Sequence, residues 1–227
     1  MRQVALVIET TGIDPSDKII EIAAVEMQDG VATGHAFNVM INPDMEMAEE
    51  ANKLHHIASA DLQRFQDFSH AAQKLLDFVK DAEVLVYFTQ FALPIINAEL
   101  GRAGHESLQS SCVKVSDVWA MSKKVFPKVS NSMDDVALRY GLLSAKREDR
   151  QGMRDARLLA DVYSNLKQDA AEKGISLQPK AKKAASHAAH HAVLFAAKSG
   201  PEADAVLIDR THAVNPQIQR GAAKHWR

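Results

Sequence analysis

Five consecutive apolar residues, Val4-Ala5-Leu6-Val7-Ile8, stand near the start of the chain. A strand with one wet face alternates polar and apolar side chains, so an unbroken run of this length reads as a strand covered on both faces. Such a strand requires a sheet sandwiched between helices, and the following sequence supplies one. Turn signals at Thr10-Thr11-Gly12 and Asp14-Pro15-Ser16 lead into an Ile- and Val-rich strand over 19–27. Asp29-Gly30 is a hairpin signal, and a third strand over 34–41 ends at Asn42-Pro43. Apolar residues at helical spacing (Ala72, Leu75, Leu76, Val79) then predict a helix over 69–80, with Ser69 as its cap. A short strand over 83–88, a helix over 94–101 with Pro94 in its first turn, and a strand over 112–117 follow. Helices are predicted over 131–140, opened by Asn131 or Ser132, and over 155–166. The order β-β-β-α-β-α-β-α-α predicts an α/β fold, a mixed sheet flanked by helices.

The charge divides the chain in two. Residues 1–175 hold 19 Lys+Arg against 26 Asp+Glu, a net of −7, whereas residues 176–227 hold 8 against 3, a net of +5, with five of the ten histidines. The expected organisation is a folded domain over 1–175 and a basic, His-containing, partly flexible tail over 176–227, in which 180–199 is expected to be helical and 201–227 largely loop. A basic tail on an acidic body suits nucleic acid or an acidic partner surface. His187, His190 and His191 share one face of the expected helix, with no cysteine or carboxylate beside them, and read as a polar face. One cysteine, Cys112, excludes an internal disulfide. No stretch reaches the roughly 18–20 apolar residues that a membrane span needs, and the opening segment carries no small-residue cleavage site. A soluble, cytoplasmic protein without a membrane partner is expected.

Six segments in order carry a more specific signal: LVIETTG (6–12), KIIEIAAVEM (18–27), LHHI (54–57), KVSD (114–117), FPKVSNSMDD (126–135) and DARLLADVY (155–163). Over residues 2–166 the chain resembles the DnaQ-like 3′–5′ exonucleases of DEDDh type, most closely the epsilon (proofreading) branch found with bacterial DNA polymerase III. The resemblance implies a ribonuclease H-like fold. It also implies a site in which four carboxylates hold two divalent cations about 3.5–4 Å apart around the scissile phosphate. A histidine five residues before the last Asp serves there as general base.

Set against that pattern, the chain departs at three of the five positions. The first Asp of D-x-E is Val7, while Glu9 remains. The Asp of the second motif is Ala92, within Tyr87-Phe88-Thr89-Gln90-Phe91-Ala92. In the last motif Asp155 remains, but Arg150 stands where the resemblance places the histidine. Val7 and Ala92 offer a cation no oxygen, and an arginine, with a pKa above about 12, accepts no proton. No metal cofactor is therefore expected. Arg150 is expected to pair with Glu9 and Asp155, or to point outward from the charged run KREDR (146–150).

The leading expectation is a catalytically inactive homologue that binds single-stranded nucleic acid, a replication partner, or both. Thr10, Thr11, Gly12, His55, His56 and Phe91 are the candidate groove residues, through amides, hydroxyls and stacking, although core packing is the expected role of Phe88 and Phe91. Relatives of this branch dock on the polymerase catalytic subunit through a C-terminal segment. In this chain Phe195 and Trp226 are the candidate anchors for such docking. The alternative is an active Mg²⁺- or Mn²⁺-dependent 3′–5′ exonuclease with a rewired site, in which Asp14, Asp17 and Asp149 replace the lost carboxylates and His55 or His56 the base.

Overall fold

The computed structural model describes residues 1–147, 151–178, 192–195 and 206–209. Strands β1 (Arg2–Thr10), β2 (Ile19–Gln28) and β3 (Val31–Met40) form an antiparallel meander. At the β2–β3 turn Asp29 and Gly30 both take positive φ, 53° and 88°, as a two-residue hairpin with the twist of its strands requires. Three short or medium helices follow: α1 (Glu49–His55), α2 (Ser59–Leu62) and α3 (Ser69–Val79). The chain continues through β4 (Glu83–Val86), α4 (Thr89–Arg102), α5 (Leu108–Ser111), β5 (Lys114–Asp117), α6 (Val118–Val125), α7 (Met133–Arg139) and α8 (Gly152–Glu172).

The sheet order is β3-β2-β1-β4-β5, with β4 parallel to β1 and β5 parallel to β4. The central strand β1 is covered on both sides, as its unbroken apolar run demands. Val4, Leu6 and Ile8 join a core with α3, α4 and α5, while Ala5 joins a second core with α6, α7 and α8. Odd and even residues of one strand thus serve two helical layers. This is the expected mixed sheet between helices.

Three local expectations are corrected. Helix α4 starts at Thr89, not Pro94, because the Asp117 carboxylate accepts both the Thr89 amide, at 3.1 Å, and the Thr89 hydroxyl, at 2.5 Å. This opens the helix earlier, and Pro94 lies inside it. At α3 the Asp67 carboxylate, rather than the Ser69 side chain, takes up the free amide of Ser69, at 3.0 Å. Finally, Ala192–Phe195 pairs antiparallel with Val206–Asp209 as strands β6 and β7, where 180–199 was expected to be helical. The run Ala-Val-Leu-Phe favours extended backbone through its branched and aromatic residues.

Residues 175–178 still belong to the body. Ile175 and Leu177 pack on the second core, and Lys124 Nζ donates to the carbonyls of Leu177 and Gln178 at 3.1 and 2.5 Å. No helix among the described residues is long and apolar enough to cross a membrane.

Candidate functional site

The carboxyl ends of β1, β4 and β5 lie side by side, and there the loops of an α/β sheet ordinarily build a ligand crevice. Val7 and Glu9 project from β1 toward α8. Glu9 sits opposite Glu21 of β2 in register, so two carboxylates share one face of the sheet end. Asp155, in the first turn of α8, closes the cluster and is 2% exposed. Burial raises the pKa of Glu21, and the nearby Asp155 charge adds to it. A hydrogen bond from the Gly152 amide, at 3.3 Å, and one from Asn38 act the other way. No space remains at Gly152: a methyl there would lie 2.6 Å from the Glu21 carboxyl carbon.

Among the described residues, Arg147 brings a cation into this cluster, and spacing alone does not single it out. Its backbone amide and Nε donate to the two oxygens of Asp134, at 3.1 and 2.9 Å, and one terminal nitrogen donates to Asp155 Oδ1. The side chains of Arg147, Asp134 and Asp155 are 7%, 7% and 3% exposed, which makes a buried triad. The signal available was the composition of the loop: two basic residues, Lys146 and Arg147, follow an Asp pair on the preceding helix. Lys146 takes the other member of that pair. Burial raises the pKa of Asp135, but Lys146, Ser130 and Ser132 outweigh it and hold it at about 2. Arg150, expected at the cluster, lies outside the described residues, as do Asp149 and Trp226. Of Phe195 only the strand backbone is described.

The two replaced positions are filled with apolar material. Val7, like Met153, packs against the cluster of Ala23, Val25 and Ala156, and Ala92 is part of the core beneath α4. The donor chemistry does not fit a four-carboxylate, two-cation site. Two positions carry only methyl groups, and one oxygen of Asp155 is already bonded to a guanidinium. Among the described residues no group of three His, Cys, Asp or Glu side chains could hold a metal ion.

The candidate groove residues turn out to be largely committed to the backbone around them. Thr10 Oγ1 donates to the Gly12 carbonyl at 2.5 Å, and Thr11 Oγ1 donates to Asp17 at 2.8 Å; Thr11 is 1% exposed. A Cβ at Gly12 would lie 2.6 Å from Asp17 Oδ2, so a side chain there would displace the Asp17 carboxylate. Asp17 also accepts the Asp14 amide at 2.6 Å, so its carboxylate braces the turn. His55 is 5% exposed. Its Nδ1 accepts the Ile57 amide at 3.2 Å, which places the proton of the neutral ring on Nε2. Burial lowers its pKa to about 4, so the ring is neutral at physiological pH. His56 is exposed and ends α1 in the left-handed region, while Phe91 packs against the core under α4.

Comparison with known proteins places the fold and the sequence together. A family model described as Exonuclease (RNase_T) matches residues 4–163. The DNA polymerase III subunit epsilon of Rickettsia conorii is 30% identical over 169 residues, covering 73% of this chain and 74% of that protein. The subunit of the same name from Escherichia coli K12 is 32% identical over 169 residues, covering 71% and 70%. Among solved structures, the nuclease domain of 3′hExo, a DEDDh family member bound to rAMP, superposes with a TM-score of 0.63 at 16% identity. It covers 75% of this chain and 94% of that one. Exonuclease X in complex with 5′-overhanging duplex DNA superposes with a TM-score of 0.52 at 15% identity, covering 78% and 94%.

Proposed function

This chain belongs to the RNase_T exonuclease family, and from that membership we propose that it binds single-stranded nucleic acid or a replication partner without cutting. The observation that carries the reading is the filled cleft. Val7 and Ala92 contribute to packing where the family pattern supplies carboxylates, and Asp155 is bonded to Arg147. A hydrolytic site of this family needs clustered oxygen ligands and a proton acceptor. Two of the candidate replacements are engaged elsewhere: Asp17 braces the turn after β1, and the accepting nitrogen of His55 is used by Ile57.

The relatives named DNA polymerase III subunit epsilon, and the nucleic-acid-bound exonucleases of like fold, support nucleic acid and a DNA polymerase III subunit as partners. A cytoplasmic location and a separable basic segment beyond the body-packed residues 175–178 go with this reading. The test is degradation of end-labelled single-stranded DNA with Mg²⁺ or Mn²⁺, alongside an active relative. Background-level cleavage is expected. Turnover within about tenfold of that relative, abolished by Glu9→Ala, would establish instead a rewired, working exonuclease.

A further inference from the structure

Beside the filled cleft, at the carboxyl ends of β4 and β5, lies an aromatic corner that serves no core. Phe88 follows β4 and Trp119 follows β5. Their ring centroids are 5.1 Å apart and their planes stand at 82°, an edge-to-face pair. Both are half-buried, and neither belongs to any of the hydrophobic clusters of the described residues, unlike Phe91 and Tyr87 on either side. Lys123, one turn along α6, holds its ammonium 4.0 Å over the indole ring.

The corner is rigid in its backbone. The Trp119 amide donates to the Tyr87 carbonyl at 3.1 Å, and the Asp117 carboxylate accepts from Thr89 and from Ala120, which flank the two rings in sequence. Lys123 is exposed, as is Lys128 in the loop after α6. A rigid aromatic surface with an exposed ammonium over it matches a nucleobase joined to a phosphate: the ring stacks the base and the lysine meets the backbone.

We infer that Phe88, Trp119 and Lys123 form a stacking platform for one base of a single-stranded nucleic acid, at the mouth of the old cleft. The inference rests on the proposal that this protein binds nucleic acid, and it names where. A base sliding onto the indole displaces the Lys123 ammonium, which its flexible stem carries to the adjacent phosphate. Recognition of this kind is tolerant of sequence, because every base presents a π-face.

The experiment uses the full chain with Trp226→Phe, which leaves Trp119 as the reporting tryptophan, titrated with dT15 and with rU15. Saturable quenching of Trp119 is expected. Followed by the anisotropy of fluorescein-labelled dT15 and rU15, which needs no tryptophan, Trp119→Leu and Phe88→Leu, which keep apolar bulk without the aromatic face, should each weaken binding by about tenfold. Lys123→Ala, at an exposed position, should lower the slope of log K against log salt by about 0.7. If the parent binds either strand while Trp119→Leu and Lys123→Ala bind equally well, the platform is wrong and the binding proposal stands. If the parent binds neither strand, the binding proposal fails and the platform falls with it.

Discussion

Arg147→Met removes the guanidinium from the buried triad while keeping most of the apolar stem. Asp134 and Asp155 then lose a shared cation at sites where their side chains are 7% and 3% exposed. Breaking a buried pair by deleting one partner typically costs about 3–5 kcal/mol, because a charge is left in a medium that solvates it poorly. For a domain of this size each kcal/mol moves the melting temperature by about 2–4 °C, so a drop of roughly 6–20 °C is expected. The attribution to charge is checked within the same series. Asp134→Asn in the Arg147→Met background removes one of the two buried carboxylates and should recover part of the loss, a coupling visible in a double-mutant cycle. Lys146→Met, which removes a side chain 41% exposed and paired with Asp135, serves as the surface comparison and should cost no more than about 1 kcal/mol. Thermal unfolding followed by circular dichroism measures all five proteins, the Asp134→Asn single variant that the cycle requires included. An Arg147→Met variant that melts within a degree or two of the parent would refute the reasoning. It would mean that the loop before α8 does not hold the triad together in solution.

Other outcomes can be checked with the same preparations. Because burial raises the pKa of Glu21 above its ordinary 4.5, its ionisation opposes folding, and the folded state holds the proton more tightly than the unfolded chain. The penalty is therefore absent below about pH 4.5 and grows as pH rises through the folded value. Glu21→Gln should be more stable than the parent at pH 7, with the advantage vanishing on acidification; an advantage that grows in acid would reverse the sign. Val7→Asp with Ala92→Asp and Arg150→His should gain Mn²⁺ binding by calorimetry and some cleavage. A well-folded triple variant that binds Mn²⁺ and leaves a labelled strand intact would place the loss in the groove instead of the ligand set. Ending the chain after residue 179 should leave the melting temperature nearly unchanged and weaken binding to nucleic acid or to a polymerase subunit, whereas a fall of many degrees would show that the tail packs on the body.

What the sequence revealed, and what it hid, follows from how local each cause is. The apolar run of β1, the Asp29-Gly30 turn and the amphipathic stretch of α8 depend on neighbours a few residues apart, and all three were legible. The start of α4 was not, because the group that opens it, Asp117, lies 28 residues downstream of Thr89. Helix α6 passed unseen for a related reason: it is eight residues long and capped by the last residue of the strand before it. At the site, the replacements at Val7, Ala92 and Arg150 could be read directly against the family motifs. The role of Arg147 could not, since it joins Asp134 and Asp155, 13 and 8 residues away on two helices. Thr10 and Thr11 look like ligand-facing hydroxyls in a motif, and only the folded turn shows that Gly12 and Asp17 accept their protons.

Asp117 has a consequence for how the molecule opens. One of its oxygens receives the first amide and hydroxyl of α4, the other the Ala120 amide of α6, and these helices cover opposite faces of the sheet. A displacement of the Asp117 side chain releases the first turns of both helices together. Amide exchange at the two starts should therefore be governed by a single opening event, with matching protection factors despite different surroundings. In Asp117→Ala the two starts should exchange independently, and the layers on the two faces of the sheet would no longer share a common gate to solvent.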